Sequence, residues 1–338
     1  MSGYTRTEKI LHRTYLSNYF ISKSSLELEE IMFGDKSKKI DVKEYIFISG
    51  LARSGTTALM NKIFFSGEYA SLQYSNMPML LSPNLWKKKL KLEKHERAHN
   101  DGIIIDGNSP EEFDEYFWKA FLKDSYIDGH LHPHEVDEEV LNKYIGYIQL
   151  LCLSKQKDKY ISKNNNNILR LPALLSLANS KVFILYRKPL EHAASLMKLH
   201  KRFSEDQKND KFALDYFNWL GHHEFGLGHK PFKFNDNAVK KLSQYDTRHF
   251  DYWLQIWINY YSYLLSSKNL SVTLIAFEDL IGDPQRVYDY VGQITQLKAN
   301  LIADKAHTPS AYNTPKHTPE LLEEANRIYG ELELLKKY

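Results

Sequence analysis

Cysteine is nearly absent from this chain: Cys152 stands alone among 338 residues. An internal disulfide and a thiolate-rich zinc site are thereby excluded, and the chain fits a reducing compartment, which we read as the cytoplasm. Long apolar runs are missing as well. Neither the opening MSGYTRTEKILHRTYLSNYF nor any later stretch has the length of a secretory core or a bilayer span, so no transmembrane segment is expected. An excess of charge of one sign is missing too. A net charge of +3 is too slight for a general nucleic-acid or membrane binder, and any anion site must be local. No repeat and no linker-like stretch interrupts the chain, and its only low-complexity patch is NNNN at Asn164 to Asn167. With 43% hydrophobic and 26% charged residues, it can bury a substantial core, and a single domain over 1–338 is expected.

What is present alternates between strand and helix patterns. YIFIS, ending at Gly50, is a short apolar, β-branched and aromatic run, and TTALMNKIFF after it spaces Leu59 and Ile63 as a helix does. YISK at Tyr160 to Lys163 reads as another strand. It leads into ILRLPALLSLAN, a helical pattern that Pro172 should kink or start late. KVFILYR at Lys181 to Arg187 has the continuous apolar character of a strand buried on both faces, and Pro189 suits the first turn of the helix that follows. FDYWLQIWINYYSYLL and SVTLIAFEDL repeat the order, helix then strand. The expected fold is α/β, a three-layer sandwich around a central parallel sheet, with ligand loops beyond the strands' C-terminal ends. The stretches 84–146 and 204–244 are rich in charge, His, Gly and Asn, and read as insertions around the active face.

The loop after the first strand lacks one residue of its own pattern. Gly50, Gly55 and Thr57 keep the G-x-x-x-x-G-K-[ST] spacing of a phosphate-binding loop, but Thr56 stands where the lysine belongs. A strand-to-helix loop still offers backbone N–H groups at the positive end of a helix dipole. Ser54, Gly55, Thr56 and Thr57 can contribute such donors, and Arg53 a planar cation. Without the lysine, triphosphate hydrolysis loses its usual charge stabiliser, so a phosphate carrying a different transferable group fits better.

GLARSGTT resembles the 5′-phosphosulfate loop of the sulfotransferases, which use 3′-phosphoadenosine 5′-phosphosulfate as donor. YRKPLEHAAS is similar to that family's 3′-phosphate segment, with Arg187 and Ser195 at its basic and serine positions. IAFEDLIGDP resembles a third family segment, in which Glu278 and Asp279 organise structure. ISKNNNN resembles tyrosylprotein sulfotransferases, in which Lys163 would match a lysine near the transferring sulfuryl group. ARSGTT with the Met77–Trp86 stretch is similar to bacterial sequences that act on glycans. The resemblance implies a P-loop-NTPase-like sulfotransferase fold, a hydroxyl acceptor more than an amine, and a carbohydrate or small molecule presenting it.

A departure accompanies the likeness. Tyrosylprotein sulfotransferases carry a catalytic glutamate about two dozen residues after the glycine loop, and ASLQYSNMP offers Tyr74, Ser75 and Asn76 there instead. Candidates for a base therefore come from the following segment: His99, Glu111, Glu112 and Glu115, with Asp101 and Asp106 behind them. His130, His132 and His134 alternate without a recognisable fourth ligand, and the proposed chemistry needs no metal. Two other readings stay open, a P-loop kinase and a nucleotide-binding protein without catalysis.

Overall fold

The computed structural model describes residues 4–86, 95–96, 104–122, 125–267, 271–303 and 315–338, with backbone alone at 95–96 and 104–105. Six strands occur among them: β1 Glu44–Gly50, β2 His95–Glu96, β3 Ile104–Ile105, β4 Lys159–Lys163, β5 Ser180–Tyr186 and β6 Thr273–Ala276. β2 and β3 form a separate antiparallel pair. The other four make one sheet in the order β4-β1-β5-β6, parallel throughout.

Period-two alternation divides β1 between two cores. Ile46 and Ile48 point to one face, where Leu59, Met60 and Ile63 of helix Thr56–Phe64 and Val287 and Val291 of helix Pro284–Ile294 cover them. Tyr45 and Phe47 point to the other face. Helices Glu138–Lys155, Pro189–Asn209, Phe250–Ser266 and Pro319–Leu335 contribute to that larger core. Each fully buried Ile, Leu or Phe in these layers contributes about 1.5–3 kcal/mol. The result is an α/β sandwich with a central parallel sheet flanked by helices.

Strand order determines where a ligand can enter. From β1 the chain crosses to β4 on one side and then back to β5 on the other, so β1 lies at the reversal. Parallel sheets open a crevice at such a point, beyond the strands' C-terminal ends. Register brings Ile48 beside Lys163 and Gly50 beside Leu185 at that edge.

The structure decides between local expectations. ILRLPALLSLAN takes the late start, not the kink. Asn165–Arg170 forms a 3-10 turn, and a short helix, Leu171–Leu175, begins with Pro172 in its first turn. Proline has no N–H to give to a preceding turn, so the α-helix can only start there. Helix Pro189–Asn209 runs straight through Ser204, and helix Lys211–Leu220 follows it. Irregular structure in that region is thereby confined to 221–235 before helix Asp236–Leu242. Helix Glu115–Leu122 lies deep in the core, with Tyr116, Phe117 and Trp118 wholly buried.

Candidate active site

Gly50 ends β1 with φ of 145°, and a Cβ there would lie 2.5 Å from the Leu185 carbonyl oxygen and 2.7 Å from Ser54 Oγ. Only glycine fits that close approach. The chain then turns tightly: Ser54 Oγ donates to the Leu51 carbonyl at 2.7 Å, and Arg53 adopts a left-handed φ of 75°. Gly55, also left-handed at 93°, caps helix Thr56–Phe64, and Thr56 and Thr57 open its first turn in buried positions. The helix N-terminus thus faces the crevice with the loop wrapped before it.

Arg187 and Ser195 meet this loop from β5 and its helix. Arg53 Nε donates to Ser195 Oγ at 3.3 Å, and Arg187 Nη1 donates to the Arg53 carbonyl at 3.5 Å. The Arg187 guanidinium also lies 4.4 Å from the Phe277 ring centroid, and its carbonyl accepts from Trp257 Nε1 at 3.1 Å. Glu278 Oε1 accepts the Lys188 amide at 2.9 Å, which ties the IAFEDL segment behind Arg187. Asp279 pairs with Lys336 at 2.6 Å. Two cations, a serine hydroxyl and a helix N-terminus therefore converge, a donor set that suits a doubly phosphorylated nucleotide.

One residue of this half escaped the sequence reading. His192 Nε2 lies 2.8 Å from the Ala52 carbonyl, inside the loop. Burial, with Arg187 and Arg53 nearby, pushes its imidazole down to about 3, so the ring is neutral and Nε2 is the donor. The spacing was available: His192 precedes Ser195 by three residues and shares its helix face.

On the other side of β1, Lys163 closes β4 and ion-pairs with Glu112, both buried. Glu112 also accepts from the Asn165 amide and, at 3.0 Å, from Asn165 Nδ2. Burial pushes the Glu112 carboxyl well above the ordinary range despite the pull of Lys163. Lys163 loses stability as an ammonium through burial, but Glu112, Glu111 and Glu224 more than restore it and hold it above the ordinary value. A buried carboxyl shifted upward beside a cation is a pattern of acid–base sites.

The remaining candidates occupy different settings. Glu111 is half-buried and accepts from Tyr74 Oη at 3.2 Å, so the departure at Tyr74 and the nearby carboxylate meet in space. Glu115 is fully buried and fully engaged: Arg170 Nη1 and Nη2 donate to it at 2.7 and 3.0 Å, Asn164 Nδ2 at 2.7 Å, and Tyr126 Oη as well. Burial would raise its carboxyl, but Arg170 outweighs that and holds it below the usual range. Such a carboxylate anchors structure more readily than it takes a proton. His99 and Asp101 lie outside the described residues. Asp106 accepts the Asn108 amide at 2.8 Å in a local turn. His132 pairs with Asp128 at 2.9 Å, and among the described residues no three His, Cys, Asp or Glu side chains come together as metal ligands. No helix among them is long and apolar enough to cross a membrane.

Glu224 and His222 were not singled out from sequence, since no motif marks the segment 221–235. Asn165 Nδ2 donates to Glu224 at 2.7 Å, and His222 Nε2 lies 2.7 Å from the Glu112 carbonyl.

No protein-family model and no curated protein matches the chain. Solved structures do. Sulfotransferase STF9 from Mycobacterium avium aligns over 92% of this chain and 83% of its own, at 14% identity and a TM-score of 0.52. Sulfotransferase STF1 from Mycobacterium tuberculosis H37Rv aligns over 98% and 86%, at 15% identity and a TM-score of 0.44. A sulfotransferase domain from the curacin biosynthetic pathway aligns over 86% and 97%, at 14% identity and a TM-score of 0.40. At 14% identity the first of these is a likeness of fold, and that fold, a helix-flanked parallel sheet, is the one this chain adopts.

Proposed function

We propose that this protein is a sulfotransferase that moves a sulfuryl group from 3′-phosphoadenosine 5′-phosphosulfate to a hydroxyl of a carbohydrate or small molecule. The observation that carries the reading is the convergence of Arg53, Ser195 and Arg187 at one loop, with Lys163 on the strand next to it. The donor supplies a sulfuryl group on a phosphate leaving group: an oxygen–sulfur bond to the acceptor forms as the sulfur–oxygen bond to phosphate breaks.

The chain's own residues do the rest. Arg53 and the amides and hydroxyls of Ser54, Gly55, Thr56 and Thr57 bind the 5′-phosphosulfate end. Arg187 and Ser195 bind the 3′-phosphate, and His192 fixes the loop carbonyl between them. Lys163 faces the negative charge that develops on the departing phosphate oxygen. Glu112, bonded to Lys163 and raised by burial, is the base we favour for the acceptor's proton. Glu111, beside Tyr74, is the next candidate. The lone, buried Cys152 suits a cytoplasmic setting.

Calorimetry with adenosine phosphates tests the donor. 3′-Phosphoadenosine 5′-phosphate should bind more tightly than AMP, ADP or ATP with magnesium. A preference for ATP would favour a kinase. Turnover of the sulfate donor with a mixed acceptor panel then separates an enzyme from an inactive binding protein, and Glu112→Gln should abolish that turnover without loss of nucleotide affinity.

A further inference from the structure

The crevice is divided by charge. On the β5 side of β1 stand Arg53 and Arg187. On the β4 side, one ammonium, Lys163, faces three acidic side chains, Glu112, Glu111 and Glu224. Lys163 pairs with Glu112, and no ion pair joins Glu224 to any described cation. Among the described residues, the hydrogen bond to its carboxylate comes from the neutral Asn165 amide. A half-buried carboxylate that shares Lys163 with two other acidic groups and forms no ion pair of its own attracts further positive charge.

A second observation points the same way. Asn165 is buried, and its Nδ2 is spent on both Glu112 and Glu224, but its Oδ1 has no partner among the described residues. What remains unused at this spot, among the described residues, is therefore acceptor capacity: the second carboxylate oxygen of Glu224 and the amide oxygen of Asn165. Buried acceptors of this kind call for a donor, and the neighbouring carboxylate calls for a charged one. The segment bearing Glu224 is held against the transfer centre, because His222 reaches the Glu112 carbonyl at 2.7 Å and Asn166 Nδ2 reaches the Gly221 carbonyl at 3.4 Å.

We propose that the acceptor carries an ammonium group close to the hydroxyl that is sulfated, and that Glu224 and Asn165 Oδ1 hold that ammonium. This rests on the sulfotransferase reading above and narrows it from any hydroxyl compound to amino alcohols, amino sugars among them. Acidic acceptors are disfavoured, since they would meet Glu112 and Glu224 at close range. The ammonium so held stays protonated and non-nucleophilic, which directs transfer to oxygen and away from nitrogen.

The test uses the full chain saturated with 3′-phosphoadenosine 5′-phosphate. Two matched probe pairs are titrated calorimetrically: glucosamine against glucose, and 4-(2-aminoethyl)phenol against 4-(2-hydroxyethyl)phenol. In at least one pair the ammonium probe should bind about tenfold more tightly. Glu224→Gln should erase that difference, leave the neutral probe's affinity unchanged, and leave nucleotide binding and melting temperature at wild-type values. Absence of an ammonium preference in both pairs would overturn the proposal, as would a preference that survives in Glu224→Gln. Failure of the nucleotide itself to bind the wild-type chain would overturn the donor reading, and this inference with it.

Discussion

Replacing Glu115 with alanine should damage the fold far more than the chemistry. Both partners of the Glu115–Arg170 pair are wholly buried, and the carboxylate accepts from two guanidinium nitrogens, an asparagine amide and a tyrosine hydroxyl. Deleting it leaves Arg170 as a buried cation, which also lies 5.0 Å from the Trp118 ring centroid and 5.3 Å from that of Tyr126. Breaking such a pair from one side costs about 3–5 kcal/mol, because the remaining charge is uncompensated. A chain of 338 residues has an unfolding entropy of about 0.7 kcal/mol/K. The melting temperature should therefore fall by about 4–7 °C. Thermal scans followed by circular dichroism, with urea midpoints as a check, measure it. Variant protein that remains folded at the assay temperature should keep its turnover. A melting temperature within about 1 °C of wild type together with lost turnover would refute the reasoning and return Glu115 to the bases.

Three other outcomes are expected. Arg187→Ala should weaken binding of 3′-phosphoadenosine 5′-phosphate by about 1.5–3 kcal/mol and leave AMP affinity unchanged, and equal losses for both nucleotides in calorimetry would count against a 3′-phosphate contact. Lys163→Ala should lower kcat about 100-fold with donor affinity nearly intact, since its charge matters where charge develops; wild-type turnover at saturating substrates would remove it from the mechanism. His229 is held neutral by burial, down to about 4 from an ordinary 6.5, and His192 down to about 3. The unfolded chain takes up protons below pH 6.5 that these rings refuse, so their contribution is complete above that pH and is lost as pH falls toward 4, by about 2 kcal/mol each at pH 5. Asp114, pushed up to about 6 by burial, acts in the opposite direction. The decisive measurement is thus the difference in pH slope between wild type and His229→Gln, about 1.4 kcal/mol per pH unit below 6; parallel slopes would exclude the assignment.

The strands of the main sheet were legible because each is a short run of β-branched, aromatic or aliphatic residues, interrupted in β4 by lysine and serine, and bounded by a loop or turn. The loop from Gly50 to Thr57 was legible for a different reason: its glycines are demanded by backbone geometry, and such demands leave a fixed spacing. What stayed hidden depends on contacts between distant segments. Glu115 and Arg170 are 55 residues apart, and Asn165 and Glu224 are 59 apart. Nothing in the immediate neighbourhood of Glu115 separates it from Glu111 or Glu112, since the partner that decides each one's protonation arrives from another element. The order β4-β1-β5-β6 is likewise a property of crossovers that local periodicity does not record.

Arg53 bears on any attempt to improve this protein. A non-glycine residue at φ of 75° carries a penalty of about 1–2 kcal/mol that glycine would not. Selection for heat resistance alone would therefore drive this codon toward glycine, and each such clone would be sturdier and deprived of the cation we propose for donor binding. Position 53 should be held fixed in a stability library, and its drift in an unguarded one would be an early sign that the survivors have traded the proposed activity for durability.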